Sequence, residues 1–265
     1  MNLTEGLLAR PGCDIHTWTG GPSDAPLVVF THGATIDHHE WDATLPLVGE
    51  HFRVLAWDVR GHGLSRPAPF ALGAAIDDLL GILDALQVEQ AVFVGHSMGG
   101  NLHQELVFRH PERVRAMAFL GCTWNFQKLT RPETLLLSMA RPMFMAYPYR
   151  MLVEQAVKIS AITPAGQEAL RRSMQATSKA EWVQVMMATM ECLHYEPGYR
   201  IGKPLLLMVG DQERTGNIRK AMPAWAAQEP DCRFMVIPAA GHAANLDNPG
   251  VFHEMLLDFL MTRCR

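Results

Sequence analysis

Six short apolar runs, spaced so that a helix fits between them, constrain this chain more than any other feature. They lie at 27–31, 53–57, 91–95, 116–121, 204–209 and 233–237. A strand with one wet face alternates polar and apolar residues. A strand that is apolar throughout is covered on both faces, as in a parallel sheet. The intervals carry helical periodicity: 74–86 places Ile76, Leu79, Leu80, Leu83 and Leu86 on one stripe, and 251–260 does the same with Val251, Phe252, Met255, Leu256, Phe259 and Leu260. The expected fold class is α/β, with a mostly parallel central sheet flanked by helices. The stretch 13–19, followed by Gly20-Gly21-Pro22, reads as an added strand closed by a turn.

The rhythm breaks once. Between 121 and 203 no strand-like run occurs, only helical pattern punctuated by Pro132, Pro142, Pro148, Pro164 and Pro197. We therefore expect residues 1–121 and 203–265 to form the core domain, and 122–202 an inserted helical cap. Half of the 16 methionines fall there: Met139, Met143, Met145, Met151, Met174, Met186, Met187 and Met190. Methionine is unbranched and polarizable, so it suits both irregular helix–helix gaps and an adaptable apolar ceiling over a site.

At 265 residues, 48% hydrophobic and 19% charged, the chain can bury a core without disulfide staples. Its net charge of −4, from 23 basic and 27 acidic residues, excludes the electrostatic footprint of a nucleic-acid binder. The 5 cysteines are scattered without C-x-x-C spacing, as expected of idle thiols in a reducing compartment. Residues 1–5 lack a basic region with an apolar run behind it, and no apolar run reaches the ~20 residues of a membrane span. The expected location is cytoplasmic.

Gly95-His96-Ser97-Met98-Gly99 matches G-x-S-x-G, a pattern common enough by chance to be weak alone. Its context strengthens it, because it follows the run 91–94 and opens the helical pattern 101–109. A serine there sits on a strained strand-to-helix turn with its hydroxyl at the sheet's carboxyl edge. The blander reading is a glycine-rich helix start with a capping serine. A nucleophilic serine needs a base, and His242 suits best among the 12 histidines, lying in the loop after the run 233–237. A carboxylate should orient that base from just beyond the run 204–209. There Asp211 and Glu213 compete, and spacing does not choose between them.

The chain resembles the α/β-hydrolase fold superfamily over nearly its whole length. His32-Gly33-Ala34 resembles the family's oxyanion loop, and Asp58-Val59-Arg60-Gly61-His62-Gly63-Leu64-Ser65 its D-x-R-G-x-G-x-S stretch. Gly95–Gly99 resembles the nucleophile elbow, and Gly241-His242-Ala243-Ala244-Asn245 the histidine loop. The family's G-x-x-D pattern falls on Gly210 and Glu213, which implies Glu213 as the triad acid and Asp211 as the runner-up. Glutamate there is a departure, one methylene longer than the usual aspartate. The resemblance implies an oxyanion hole built from the backbone N–H groups of Ala34 and Met98. It disfavours haloalkane dehalogenases and epoxide hydrolases, which place aspartate where Ser97 stands.

These readings lead to a serine hydrolase that needs no metal or other cofactor and cleaves a small, apolar ester or related acyl substrate. Other activities of the fold stay open: lactone or C–C bond hydrolysis, hydroxynitrile lysis, cofactor-free haloperoxidation, or ligand reception by a retained triad. Pocket candidates are His38, Trp124, Phe144, Tyr147 and Met186. The pair His38-His39 has no third metal ligand at meaningful spacing and is expected to flank the oxyanion loop over Trp41. Gly61-His62-Gly63 fails the dinucleotide fingerprint at Arg66 and reads as a structural turn. Asp247 is read as the cap of the last helix.

Overall fold

A computed structural model describes residues 1–264. The strands are β1 (Thr4–Arg10), β2 (Cys13–Gly20), β3 (Leu27–Thr31), β4 (Arg53–Trp57), β5 (Ala91–His96), β6 (Val114–Leu120), β7 (Leu205–Gly210) and β8 (Cys232–Ile237). They join one sheet in the order β1-β2-β4-β3-β5-β6-β7-β8. Every neighbouring pair from β4 to β8 is parallel, while β1 and β2 run antiparallel at one edge. All six expected runs are strands. The N-terminal ribbon differs from expectation: 13–19 is a strand, but it pairs with β1, which the sequence did not reveal.

The helices are α1 (Leu45–Val48), α2 (Leu72–Ala85), α3 (Met98–Arg109), α4 (Arg131–Ala146), α5 (Tyr149–Ser160), α6 (Pro164–Gln175), α7 (Lys179–Met190), α8 (Ile218–Ala226), α9 (Ala244–Asp247) and α10 (Pro249–Arg263). Successive strand residues point to opposite faces of the sheet. Leu27, Val29, Phe93 and Phe119 therefore pack with α2, α3 and α8, while Val28, Phe30, Val92 and Val94 pack with α1 and α10. Both faces are dry along β3 to β7, which accounts for their apolar runs; β8, at the sheet edge, keeps Met235 and Val236 exposed. Each buried phenylalanine contributes about 1.5–3 kcal/mol.

Residues 131–190 supply four consecutive helices and, among the described residues, no strand. Local chemistry sets their starts: Thr130 with Glu133 and Ser178 with Glu181 form capping boxes, and Thr163 accepts from Gly166 N–H. A third apolar cluster joins Val153, Val157, Leu170 and Met174 of this segment to Ile36 and Ala243. The helices are thereby seated over the loops that follow β3 and β8.

Gly61-His62-Gly63 lies in a structural turn, as read from the sequence, and the residues around it brace that turn. Asp58 accepts from the N–H groups of His38 and Leu64, Arg60 forms a two-pronged pair with Asp78 at 2.6 and 2.8 Å, and Ser65 Oγ accepts from His16 N–H.

Candidate active site

The β5–α3 turn holds Ser97 at φ 49° and ψ −115°, a conformation that costs a non-glycine residue about 1–3 kcal/mol. Burial of one or two phenylalanines on β5 and β6 offsets that strain. Its side chain does not cap α3, so the blander reading of a capping serine fails. A methyl at Gly99 would run into the Thr31 carbonyl, which leaves the turn no room for another residue. Ser97 N–H donates to Leu120 O at 2.9 Å, pinning the turn to the neighbouring strand.

His242 lies between β8 and α9, and its Nδ1 is 2.7 Å from Glu213 Oε2. Glu213 also accepts from Thr215 N–H at 2.6 Å and is 3% exposed. Burial opposes its charge, yet the imidazole and the Thr215 amide outweigh that cost and hold the carboxyl below the ordinary glutamate value. Asp211 is directed elsewhere: its Oδ1 accepts from Ala240 N–H at 3.1 Å, bracing the loop that carries His242. Between the two competing carboxylates, the one in contact with His242 is Glu213. The bond orients the imidazole with Nδ1–H toward Glu213 and leaves Nε2 available as an acceptor.

Ser97 and His242 share a cavity of about 260 Å³. Gly33, Ala34 and Thr35 form one wall, and Phe144, Ile159, Leu170, Met174, Trp182 and Met186 much of the rest. Its lining contains no Lys, Arg, Asp or Glu. Ala34 sits in the loop after β3, held by His32, whose Nδ1 contacts Gly33 O at 2.8 Å while its Nε2 accepts from Val59 N–H at 3.1 Å. Met98 opens α3, where the first backbone N–H groups have no partner within the helix and the helix dipole favours negative charge. A serine oxygen and an imidazole oriented by a buried carboxylate can together support acyl transfer.

Of the pocket candidates, Phe144 and Met186 line the cavity and three do not. His38 turns its Nδ1 onto Asp58 at 2.9 Å and stacks its ring on Trp18, so a carboxylate 20 residues away takes it out of the pocket. Trp124 is buried against Trp225, with ring centroids 6.2 Å apart and parallel planes. Tyr147 ends α4 half-exposed, with its carbonyl accepting from Lys179. Sequence reasoning did not single out Leu170 or Thr215. Helical periodicity identifies a buried stripe but not the stripe that faces Ser97.

Two other readings need correction. Asp247 does not cap the last helix; Asn248 does, and Asp247 instead accepts from Ile162, Thr163 and Gly241 N–H. A third donor does accompany His38 and His39, since Asp37 brings an oxygen so that one atom from each lies within 4.8 Å of the others. Asp37 is already the cap of His39 N–H, and both imidazoles point Nδ1 at other carboxylates, with the two rings tilted by 35° and their centroids 4.1 Å apart.

A mostly parallel sheet with a strained serine at a strand–helix elbow, and a carboxylate-oriented histidine beyond the last strand, defines the class of α/β hydrolases. A profile of the alpha/beta hydrolase fold matches residues 26–249, and the chain belongs to that family. It is 39% identical over 117 residues to a bifunctional esterase/perhydrolase of Acinetobacter calcoaceticus, covering 43% of this chain and 42% of that one. It is 42% identical over 84 residues to a 2-hydroxymuconate semialdehyde hydrolase of Pseudomonas sp. strain CF600, covering 31% and 30%. These matched stretches span less than half of the relatives' own length. Among solved structures, a thermophilic esterase from Thermogutta terrifontis superposes over the full length of both chains, with a TM-score of 0.84 and 19% identity. That likeness concerns the fold alone.

Proposed function

We propose that this protein is a serine hydrolase of small, uncharged carboxylic esters. Ser97, His242 and Glu213 act as its triad, and 122–202 as a cap that shapes the pocket. The observation that carries this reading is the buried 2.7 Å contact of His242 Nδ1 with Glu213, in a cavity shared with the strained Ser97. Ser97 Oγ attacks the ester carbonyl carbon as His242 Nε2 takes its proton. The oxyanion forms against the N–H groups of Ala34 and Met98. Collapse breaks the carbon–oxygen bond to the alcohol, which leaves with the proton from His242. Water then repeats the sequence on the acyl-enzyme: His242 takes its proton, the acid departs, and the proton returns to Ser97.

The lining supports the substrate class. An ionised acid group entering this pocket, whose lining carries no Lys or Arg, would lose its hydration with little compensation. At about 260 Å³ the cavity lies at the small end of ligand sites, which suits short esters and lactones. A fluorophosphonate probe is expected to label Ser97 at neutral pH and to leave Ser97→Ala untouched. An unlabelled wild-type protein would falsify the reading. A p-nitrophenyl ester series from acetate upward, run beside simple lactones, then measures how the cap selects among acyl groups.

A further inference from the structure

A second buried carboxylate lies behind the proposed triad and has no part in it. Glu40 sits in the turn His38–Trp41 with its side chain 1% exposed. Its Oε2 accepts from Gly33 N–H at 3.0 Å, and Asn245 Nδ2 approaches its Oε1 at 3.3 Å and its backbone oxygen at 3.5 Å. Its Oε1 is 2.6 Å from Nδ1 of His96, itself buried. Gly33 precedes Ala34, His96 precedes Ser97, and Asn245 lies one turn beyond His242. One carboxylate thus reaches three of the loops that carry the proposed machinery, all but the one that holds Glu213.

The His96 contact is an ion pair more than an aligned hydrogen bond, since neither ring nitrogen has a partner in hydrogen-bonding geometry. A buried carboxylate without a counter-charge costs several kcal/mol. No Lys or Arg is paired with Glu40 among the described residues, so a protonated His96 is the available cation. Burial opposes both charges, and their mutual attraction outweighs it: the Glu40 carboxyl lies below its ordinary value and the His96 imidazole above its own. The oxyanion loop rests on that imidazole, because a methyl at Gly33 would fall 2.9 Å from His96 Nδ1. The opposite side of His96 faces His242, with ring centroids 4.7 Å apart. The remaining charged or titratable neighbours are His32, which acts on Glu40, and Glu213, which acts on His96.

We propose that Glu40 and His96 form a buried ion pair that positions the active site, binding the oxyanion loop, the elbow and the histidine loop into one geometry and turning its positive end toward His242. Glu40 does not line the cavity, and His96 borders it with both ring nitrogens buried; the pair acts through Gly33, Ser97 and His242. The kinetic part rests on the reading of His242 as general base. A charge at that distance is what distinguishes this pair from packing alone, and its removal is read in the pH dependence of kcat/KM.

The pair is tested directly by nitrogen NMR of the His96 imidazole in the full-length wild-type protein at pH 7. Both ring nitrogens are expected to carry protons; a neutral His96 overturns the proposal. This measurement needs no activity and no variant, so it decides the pair even if Ser97 proves unreactive. Kinetics then separate charge from geometry. Glu40→Gln keeps an acceptor for Gly33 but removes the charge, leaving His96 without reason to stay protonated. The acid limb of kcat/KM is expected to move up by about one pH unit, the scale of a lost charge at ~4–6 Å. Glu40→Asp keeps the charge but is one methylene short of Gly33. It should leave the acid limb in place while lowering kcat roughly tenfold to a hundredfold at little changed KM, the scale of ångström misplacement. An acid limb that stays put in Glu40→Gln, or moves equally in Glu40→Asp, shows a packing role only and overturns the positioning by charge.

Discussion

At the scale of single residues, the site is a set of competitions settled by contact. Glu213 and Asp211 are equivalent on paper, yet one holds His242 and the other holds Ala240 N–H. Glu213→Gln is therefore expected to lower kcat by roughly a thousandfold or more, the scale seen when an orienting carboxylate is neutralised. Asp211→Asn, which can still accept from Ala240, should cost no more than a few-fold; steady-state assays of both variants check the ranking. Ser97 carries a second prediction. Its left-handed backbone stores about 1–3 kcal/mol, more than the ~0.4–1 kcal/mol of unfolded-chain entropy that glycine adds. Ser97→Gly should therefore unfold at higher urea concentration than Ser97→Ala, and the reverse order would show the turn to be unstrained. Ser97 and His242 were legible because each sits at a fixed offset from a continuous apolar strand. Glu40 was not, because nothing local marks a glutamate whose partners lie at positions 33, 96 and 245.

Legibility among the secondary-structure elements follows burial. β3 to β7 are dry on both faces and announce themselves as apolar runs. β1 carries the alternately exposed sequence Thr4–Arg10, with a glycine and a glutamate inside it, and is held chiefly by its seven-residue register against β2. No pattern in so wet a strand distinguishes it from a loop. The four-helix segment was legible as helical but not in its orientation, so periodicity did not separate Tyr147, outside the cavity, from Phe144 and Met186, which line it. Within it, α4 stands apart: Ala140 is its one buried residue, and Leu135, Leu136, Met139 and Met143 face outward. Few buried contacts mean low local stability. Amide hydrogen exchange should therefore be much faster along α4 than along α3, where ten of twelve residues are buried. Comparable protection would mean that something covers the outer face of α4 in solution.

For the molecule as a whole, buried histidines set the response to acid. Burial pushes the imidazoles of His62 and His103 down to about 3, with the nearby His32 adding to the shift at His62. The unfolded chain takes up these protons near pH 6.5 and the folded one does not, so stability falls as pH drops from there toward 3. His96 shifts the other way, and its contribution is already complete below 6.5. The depressed carboxyls of Glu40, Asp58 and Glu213 begin to be lost only near and below their unfolded values. Between pH 6.5 and 5 the histidines therefore dominate, at up to about 1.4 kcal/mol per pH unit for each. Urea midpoints at pH 7, 6 and 5 should decrease in that order, and a flat series would mean that His62 and His103 titrate normally. The carboxylate of Asp247 has a consequence on the same scale. It clasps Gly241, just before His242, together with Ile162 and Thr163 between α5 and α6, and Ala243 N–H donates to Ser160 O alongside. The proposed cap is thus riveted to the rest of the molecule along the edge that carries the base, like a door hung beside its own lock. Moving that corner outward would pull on the loop of His242, so the α5–α6 corner and the base are held as one unit. The amides of Ile162, Thr163, Gly241 and Ala243 should accordingly exchange as one slow group.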